Sequence, residues 1–399
     1  MNNDELQVLG KSRKPDRLKK WLMVCVCMTL LAFLTTLGVW FYWRSVNSKA
    51  DELRKTTIVP ELQQAVDSLL NHKLEEIDGL QGQVIVMEVQ TGEILAMAGR
   101  ERRFDGKFQP CVNFGYQQEP GSTMKTVALL ALLETGEVKL TDEVETGNGV
   151  WAVDEERDMK DHIWYHGGYG KITLERALEV SSNIAISKTV QKVFRGKEMR
   201  YYDILDRMSF GQPDYIDGIE ELKPQIYSSP KDSLWASRWL LWNSIGYERL
   251  IAPIQTLAFY NAIANDGKMV KPILYKNKVE VINPQIASKE NIAQMQLALA
   301  GVVYEGLGKR AGTSLVAVAG MSGTAQANTI GEDEHSIIDY HLSFCGYFPA
   351  DAPKYSIMVS LNKQGLPASG GGMAGALFHD ITEWMIEHDM PHVIIADEK

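Results

Sequence analysis

The sequence predicts a mixed α/β domain tethered by one transmembrane helix, and two features of its hydropathy predict it. Residues of β character gather at both ends of the region beyond residue 80, with helical segments between them, so the two ends should share one sheet. Ahead of that region, Trp21 to Trp43 is a run of 23 residues without a charge, longer than the roughly 20 needed to span a bilayer as a helix.

That run reads as an anchor, because it lacks the short apolar core and small-residue cleavage site of a secretory signal. Lys11, Arg13, Lys14, Arg17, Lys19 and Lys20 precede it, and only Arg44 and Lys49 closely follow. The positive-inside rule therefore leaves the tail of residues 1–20 cytoplasmic and everything after residue 43 outside. Trp21, Trp40, Tyr42 and Trp43 suit the two interfacial belts. The tail carries +3, which places −13 on the remainder of a chain totalling −10. An acidic body argues against nucleic acid as a partner. Cys25 and Cys27 fall in the span, and pairing between Cys111 and Cys345 stays open at this level. No metal-ligand spacing appears and no cofactor is implied.

Residues 44–79 read as a polar connector followed, after Pro60, by an amphipathic helix whose Leu62, Ala65, Val66, Leu69 and Leu70 dock on the domain of residues 80–399. Gln83–Val89 and Glu93–Ala98 flank Gln90-Thr91-Gly92 as a β-hairpin. Residues 137–235 read as helices and long loops punctuated by glycine, with Thr173 capping a helix through Ala177, Leu178 and Val180. Pro253 to Asn265 is a helix stopped by Gly267. Strands return at Leu315–Gly320, His341–Phe348 and Tyr355–Leu361, and a closing helix spans residues 375–387. Glu332, Asp333 and Glu334 read as a solvated loop.

Between the hairpin and these later elements lies Glu119–Gly136. Pro120 and Gly121 break what precedes, Val127, Leu129, Leu130, Leu132 and Leu133 read as a buried helix, and Gly136 suits its end. Ser122 then stands at the helix mouth with Lys125 one turn on the same face. A lysine neutralised by burial can take a serine proton, although Ser-x-x-Lys alone equally describes an N-cap beneath a solvated lysine.

Two further patterns follow in order: Ser181-Ser182-Asn183, and Met321-Ser322-Gly323-Thr324-Ala325-Gln326. Together with Ser122-Thr123-Met124-Lys125 they resemble the penicillin-binding protein transpeptidase domain, in the wider group of active-site-serine enzymes that includes the β-lactamases. Thr91–Met97, Ile172–Asn183, Pro253–Gln255 with Ala262–Gly267, and Phe344–Ala350 resemble further blocks of the family, over residues 80–390.

The resemblance implies an antiparallel sheet flanked by helices. It makes Ser122 the nucleophile and Lys125 its general base. Ser181 would relay a proton to the leaving amine, and Asn183 would hydrogen-bond Lys125 or the substrate amide. Ser322, Gly323, Thr324 and Gln326 would bind substrate along an edge strand, and the backbone N–H groups of Ser122 and Thr324 would form the oxyanion hole. Implied ligands are D-Ala-D-Ala stem peptides of peptidoglycan and β-lactams. A membrane glycosyltransferase or other cell-wall synthesis proteins are implied partners.

Two departures qualify the match. Met321 stands where the family's third motif usually has lysine, which points to a weakened enzyme or a scaffold as the alternative, beside a D,D-carboxypeptidase. Only residues 44–79 separate anchor and catalytic domain, where membrane-anchored relatives carry a large module, so the chain reads as a short form without pedestal or glycosyltransferase. Asp161, His162, Trp164 and His166 form a polar-aromatic cluster with two readings, cleft lining or, more often for loop residues, structure, and Gly370-Gly371-Gly372 reads as a flexible connection beside the cleft.

Overall fold

A computed structural model describes residues 15–53, 56–111, 113–153, 157–214, 216, 225–226, 239–276, 278–328 and 338–390. Two compact units divide after Lys55. The first contains helix α1 (Pro15–Leu53), of which Lys19–Arg44 is long and apolar enough to cross a membrane. Thr29, Thr35 and Thr36 turn their hydroxyls back onto carbonyls three or four residues earlier. This satisfies polar atoms that a hydrocarbon environment would leave without partners. The basic residues Lys11, Arg13 and Lys14 and the acidic run Glu332–Glu334 lie outside the described residues.

The second unit is built on a six-stranded antiparallel sheet. Its strands are β1 (Gly79–Glu88), β2 (Ile94–Arg102), β3 (Phe108–Pro110), β4 (Ala319–Asn328), β5 (Ile338–Phe348) and β6 (Tyr355–Gln364). Their order is β4-β5-β6-β1-β2-β3, so the chain's early and late strands meet where β1 pairs β6, Val84 opposite Val359.

Both faces of this sheet are buried. Because strand side chains alternate, Ile85 and Met87 enter one core while Val84 and Val86 enter the other. The smaller core is closed by α2 (Pro60–Glu76), through Leu62, Val66, Leu70 and Leu74, and by α9 (Gly375–Glu387), through Leu377, Phe378, Ile381 and Met385. The larger core is filled by α3 (Met124–Leu133), α4 (Leu174–Glu179), α5 (Asn183–Phe194), α6 (Glu198–Arg207), α7 (Pro253–Ala264) and α8 (Lys289–Tyr304). Helices α3 and α7 are buried over their whole lengths, which is why their sequences show no polar stripe.

Three expectations change. Leu315–Val318 precedes its strand: Leu315 N donates to Thr313 Oγ1 in a local turn, and pairing begins at Ala319 opposite Tyr347. Residues 137–235 include short antiparallel pairs, Glu143–Glu145 with Lys171–Thr173 and Val150–Ala152 with Asp158–Lys160. Three-residue strands are too brief to display an alternation. Gly370–Gly372 is no flexible connection. It opens a π-helical turn, Gly370–Ala374, with Gly370 and Gly371 buried. A Cβ on Gly370 would sit 2.0 Å from Gly323 O. Cys111 and Cys345 are both free.

Candidate active site

Ser122 occupies a single 3₁₀ turn, Gly121–Thr123, directly before α3. Three neighbours fix this turn. Gly121 N donates to Gly246 O at 3.2 Å, and a Cβ on Gly246 would lie 1.9 Å from Gly121 O, so only glycine fits there. Tyr260 of α7 donates its hydroxyl to Thr123 O at 2.9 Å. A Cβ on Gly323 of β4 would lie 2.9 Å from Pro120 O.

Lys125, in the first turn of α3, is 1% exposed. Its Nζ lies 2.8 Å from Ser122 Oγ, 2.8 Å from Ser181 Oγ and 2.7 Å from Ser181 O. Burial pulls the amine down to about 7, against an opposing attraction from Asp161. The charged amine can donate to all three oxygens, and once neutral it can keep two N–H groups on Ser181 and accept from the Ser122 hydroxyl.

Ser181 reaches this position through strained backbone. Its φ of +54 lies in the left-handed region, which costs a non-glycine residue about 1–3 kcal/mol. Asp161, fully buried, holds the turn from behind: it accepts from Ser182 Oγ at 3.0 and 2.9 Å and from Ile184 N at 3.1 Å. Ser182 in turn caps α5, accepting from Ala185 N. The Asp161 carboxylate thus supports the turn that carries Ser181 to Lys125. His162 lines the cleft beside it, its Nδ1 2.9 Å from Tyr169 Oη. Burial lowers the His162 imidazole further below its ordinary range than Asp161 raises it, so the ring is neutral at pH 7.

Asn183 lines the same cleft, but its amide donates to Lys160 O at 2.8 Å. Of its two expected partners, Lys125 is therefore not contacted among the described residues. The amine's hydrogens are already used on Ser181.

The cleft encloses ≈ 390 Å³. Ser322, Thr324 and Gln326 line one wall as alternate residues of β4, an outer strand of the sheet. Met321, from the opposite face of that strand, is fully buried in the larger core. Thr324 Oγ1 accepts from Gly370 N at 3.0 Å, so the π-helical turn braces the wall. Sequence reasoning missed Tyr247, Ser369 and Lys160, which also line the cleft. Gly246-Tyr247 had a signal in its glycine; Ser369 had one in the three glycines that follow it.

The model of the penicillin binding protein transpeptidase domain matches residues 82–383. The chain belongs to that family. Penicillin-binding protein PbpB of Mycobacterium tuberculosis is 26% identical over 86% of this chain and 54% of its own length. Peptidoglycan D,D-transpeptidase FtsI of Buchnera aphidicola is 25% identical over 83% of this chain and 57% of its own length. The chain thus spans about half the length of the curated relatives it matches. Among solved structures, the transpeptidase domain of Burkholderia pseudomallei penicillin-binding protein 3 superposes with a TM-score of 0.70 at 23% identity, over 85% of this chain and 98% of that one. This likeness shows the fold. Met321, expected from the sequence to be the departure of the third motif, lies buried in the larger core.

Proposed function

We propose that the chain is a membrane-anchored D,D-transpeptidase of peptidoglycan, acylated at Ser122 by D-Ala-D-Ala stem peptides or β-lactams. The carrying observation is the buried Lys125 amine placed 2.8 Å from both Ser122 Oγ and Ser181 Oγ. Ser122 Oγ attacks the carbonyl of the penultimate D-Ala as its proton passes to Lys125 Nζ. Charge on the carbonyl oxygen is met by the backbone N–H groups of Ser122 and Thr324, donors whose individual loss typically costs about 10²–10³ in rate. The C–N bond then breaks, with Ser181 Oγ passing a proton to the leaving amine of the terminal D-Ala and regaining one from the Lys125 ammonium. An acceptor amine attacks the resulting ester, forms the cross-link and returns a proton to Ser122.

Ser322, Thr324 and Gln326 offer the outer edge of β4 to an extended peptide, which would add as a further strand. Helix α1 would anchor the chain with its tail cytoplasmic and the cleft outside, near a glycosyltransferase or other wall-synthesis partners. Met321 favours a second reading, a scaffold that is acylated slowly or not at all.

Product analysis separates these readings from each other and from a carboxypeptidase. The full chain in detergent, given a D-Ala-D-Ala peptide and an amine acceptor, should release D-Ala and form the new amide. Release of D-Ala with only the free acid would make it a carboxypeptidase, and no release at all would favour the scaffold.

A further inference from the structure

Met321 leaves the β4 wall of the cleft without a fixed cation, the partner that gives a carboxylate ligand an ion pair as well as a hydrogen bond. Two other candidates fail. The Lys125 amine, drawn down to about 7 by burial, has its hydrogens on Ser181, and the His162 ring is held neutral by its own burial. Lys160 is different. It lines the cleft beside Asn183, is exposed, and makes no ion pair among the described residues.

Its placement is rigid. On one side Met159 is buried against Ile184, Leu241, Trp242 and Ile245, and on the other Asp161 is buried on Ser182 and Ile184. Its carbonyl is tied to the amide of Asn183 at 2.8 Å. Its side chain lies along Trp164, with Nζ 4.7 Å from the ring centroid. The neighbouring Asp161 carboxylate is turned inward and does not neutralise it. Among the described lining residues there is no carboxylate to compete for the ammonium.

We infer that Lys160 is the residue that holds a carboxylate of the bound peptide, moving this contact from the third motif to the wall of the second. The inference rests on the acyl-transfer reading for the identity of the ligand. The carboxylate could be the peptide's C-terminus or an acidic side chain along the stem, and the probes below distinguish the two.

Three peptides are titrated against the full chain carrying Ser122→Ala in detergent, by ligand-observed NMR: diacetyl-lysyl-D-Ala-D-Ala, its C-terminal amide, and that amide extended by a γ-linked D-glutamate. Lys160→Met keeps the aliphatic stem over Trp164 and removes the charge; Lys160→Arg keeps the charge. Lys160→Met should weaken the first or the third peptide by about tenfold to a hundredfold, the worth of one charge-assisted contact. It should leave the uncharged amide within about twofold, and Lys160→Arg should retain most of the binding. Loss on the first peptide assigns the C-terminus, and loss on the third assigns the side chain. Equal effects on all three peptides, no effect on any, or failure of every peptide to bind would overturn the inference. Lys160-dependent binding by a chain whose native Ser122 is never acylated would sink the acyl-transfer reading and leave this one standing.

Discussion

Replacing Lys125 with methionine should slow acylation of Ser122 by about 10²–10⁴, the usual contribution of a positioned general base, because it removes the proton acceptor 2.8 Å from Ser122 Oγ. The native chain should show the matching pH profile. Its amine is active when deprotonated, and burial has brought it to about 7, so the second-order rate of β-lactam acylation should rise with pH through about 7 and then level. Stability should move the same way. Between about 7 and 10.5 the unfolded chain binds a proton that the folded chain has released, so folding strengthens as pH rises across that window. Stopped-flow acylation and thermal unfolding across pH 5–9 would check both, and an acid limb that survives in Lys125→Met would assign the titration to another group.

The second large effect is at Asp161. Truncation to alanine leaves Ser182 Oγ and Ile184 N without their buried acceptor, and each such group costs about 1–3 kcal/mol. A loss of roughly 2–6 kcal/mol by denaturant unfolding should therefore accompany Asp161→Ala. Acylation should fall with it, because the strained Ser181 turn would no longer be held onto Lys125. Asp161→Asn, which can still accept through one oxygen, should recover most of the stability. An Asp161→Ala chain as stable and as reactive as the native one would show that Ser181 is held without it.

Much of this was legible in the sequence because it was local. The uncharged run of α1, the Pro60 helix, the hairpin around Gly92 and the closing helix all carry their periodicity within one segment. Ser122 and Lys125 lie one helical turn apart, so their proximity needs only the helix. What sequence reasoning could not see depends on chain crossings. Asp161 meets Ser182, 21 positions on and beyond a short strand and helix α4, and Lys160 reaches the cleft through a three-residue strand. Asn183 was expected on Lys125 or the substrate amide, and the contact that its own letters could not show is the one from its amide to Lys160 O. Gly370–Gly372 suggested flexibility because glycine has no side chain, yet here that lack allows backbone to pack on Gly323. The third motif was half legible. Its missing cation was visible in the letters, but strand alternation decided that Met321 faces the core while Ser322 and Thr324 face the cleft.

The central claim is that Ser122 is a nucleophile activated by Lys125. Intact-mass analysis of the full chain after incubation with a β-lactam tests it most directly. The account predicts a single covalent adduct on the native chain and none on Ser122→Ala. A native chain that stays unmodified, or a Ser122→Ala chain that still gains the adduct, would contradict it.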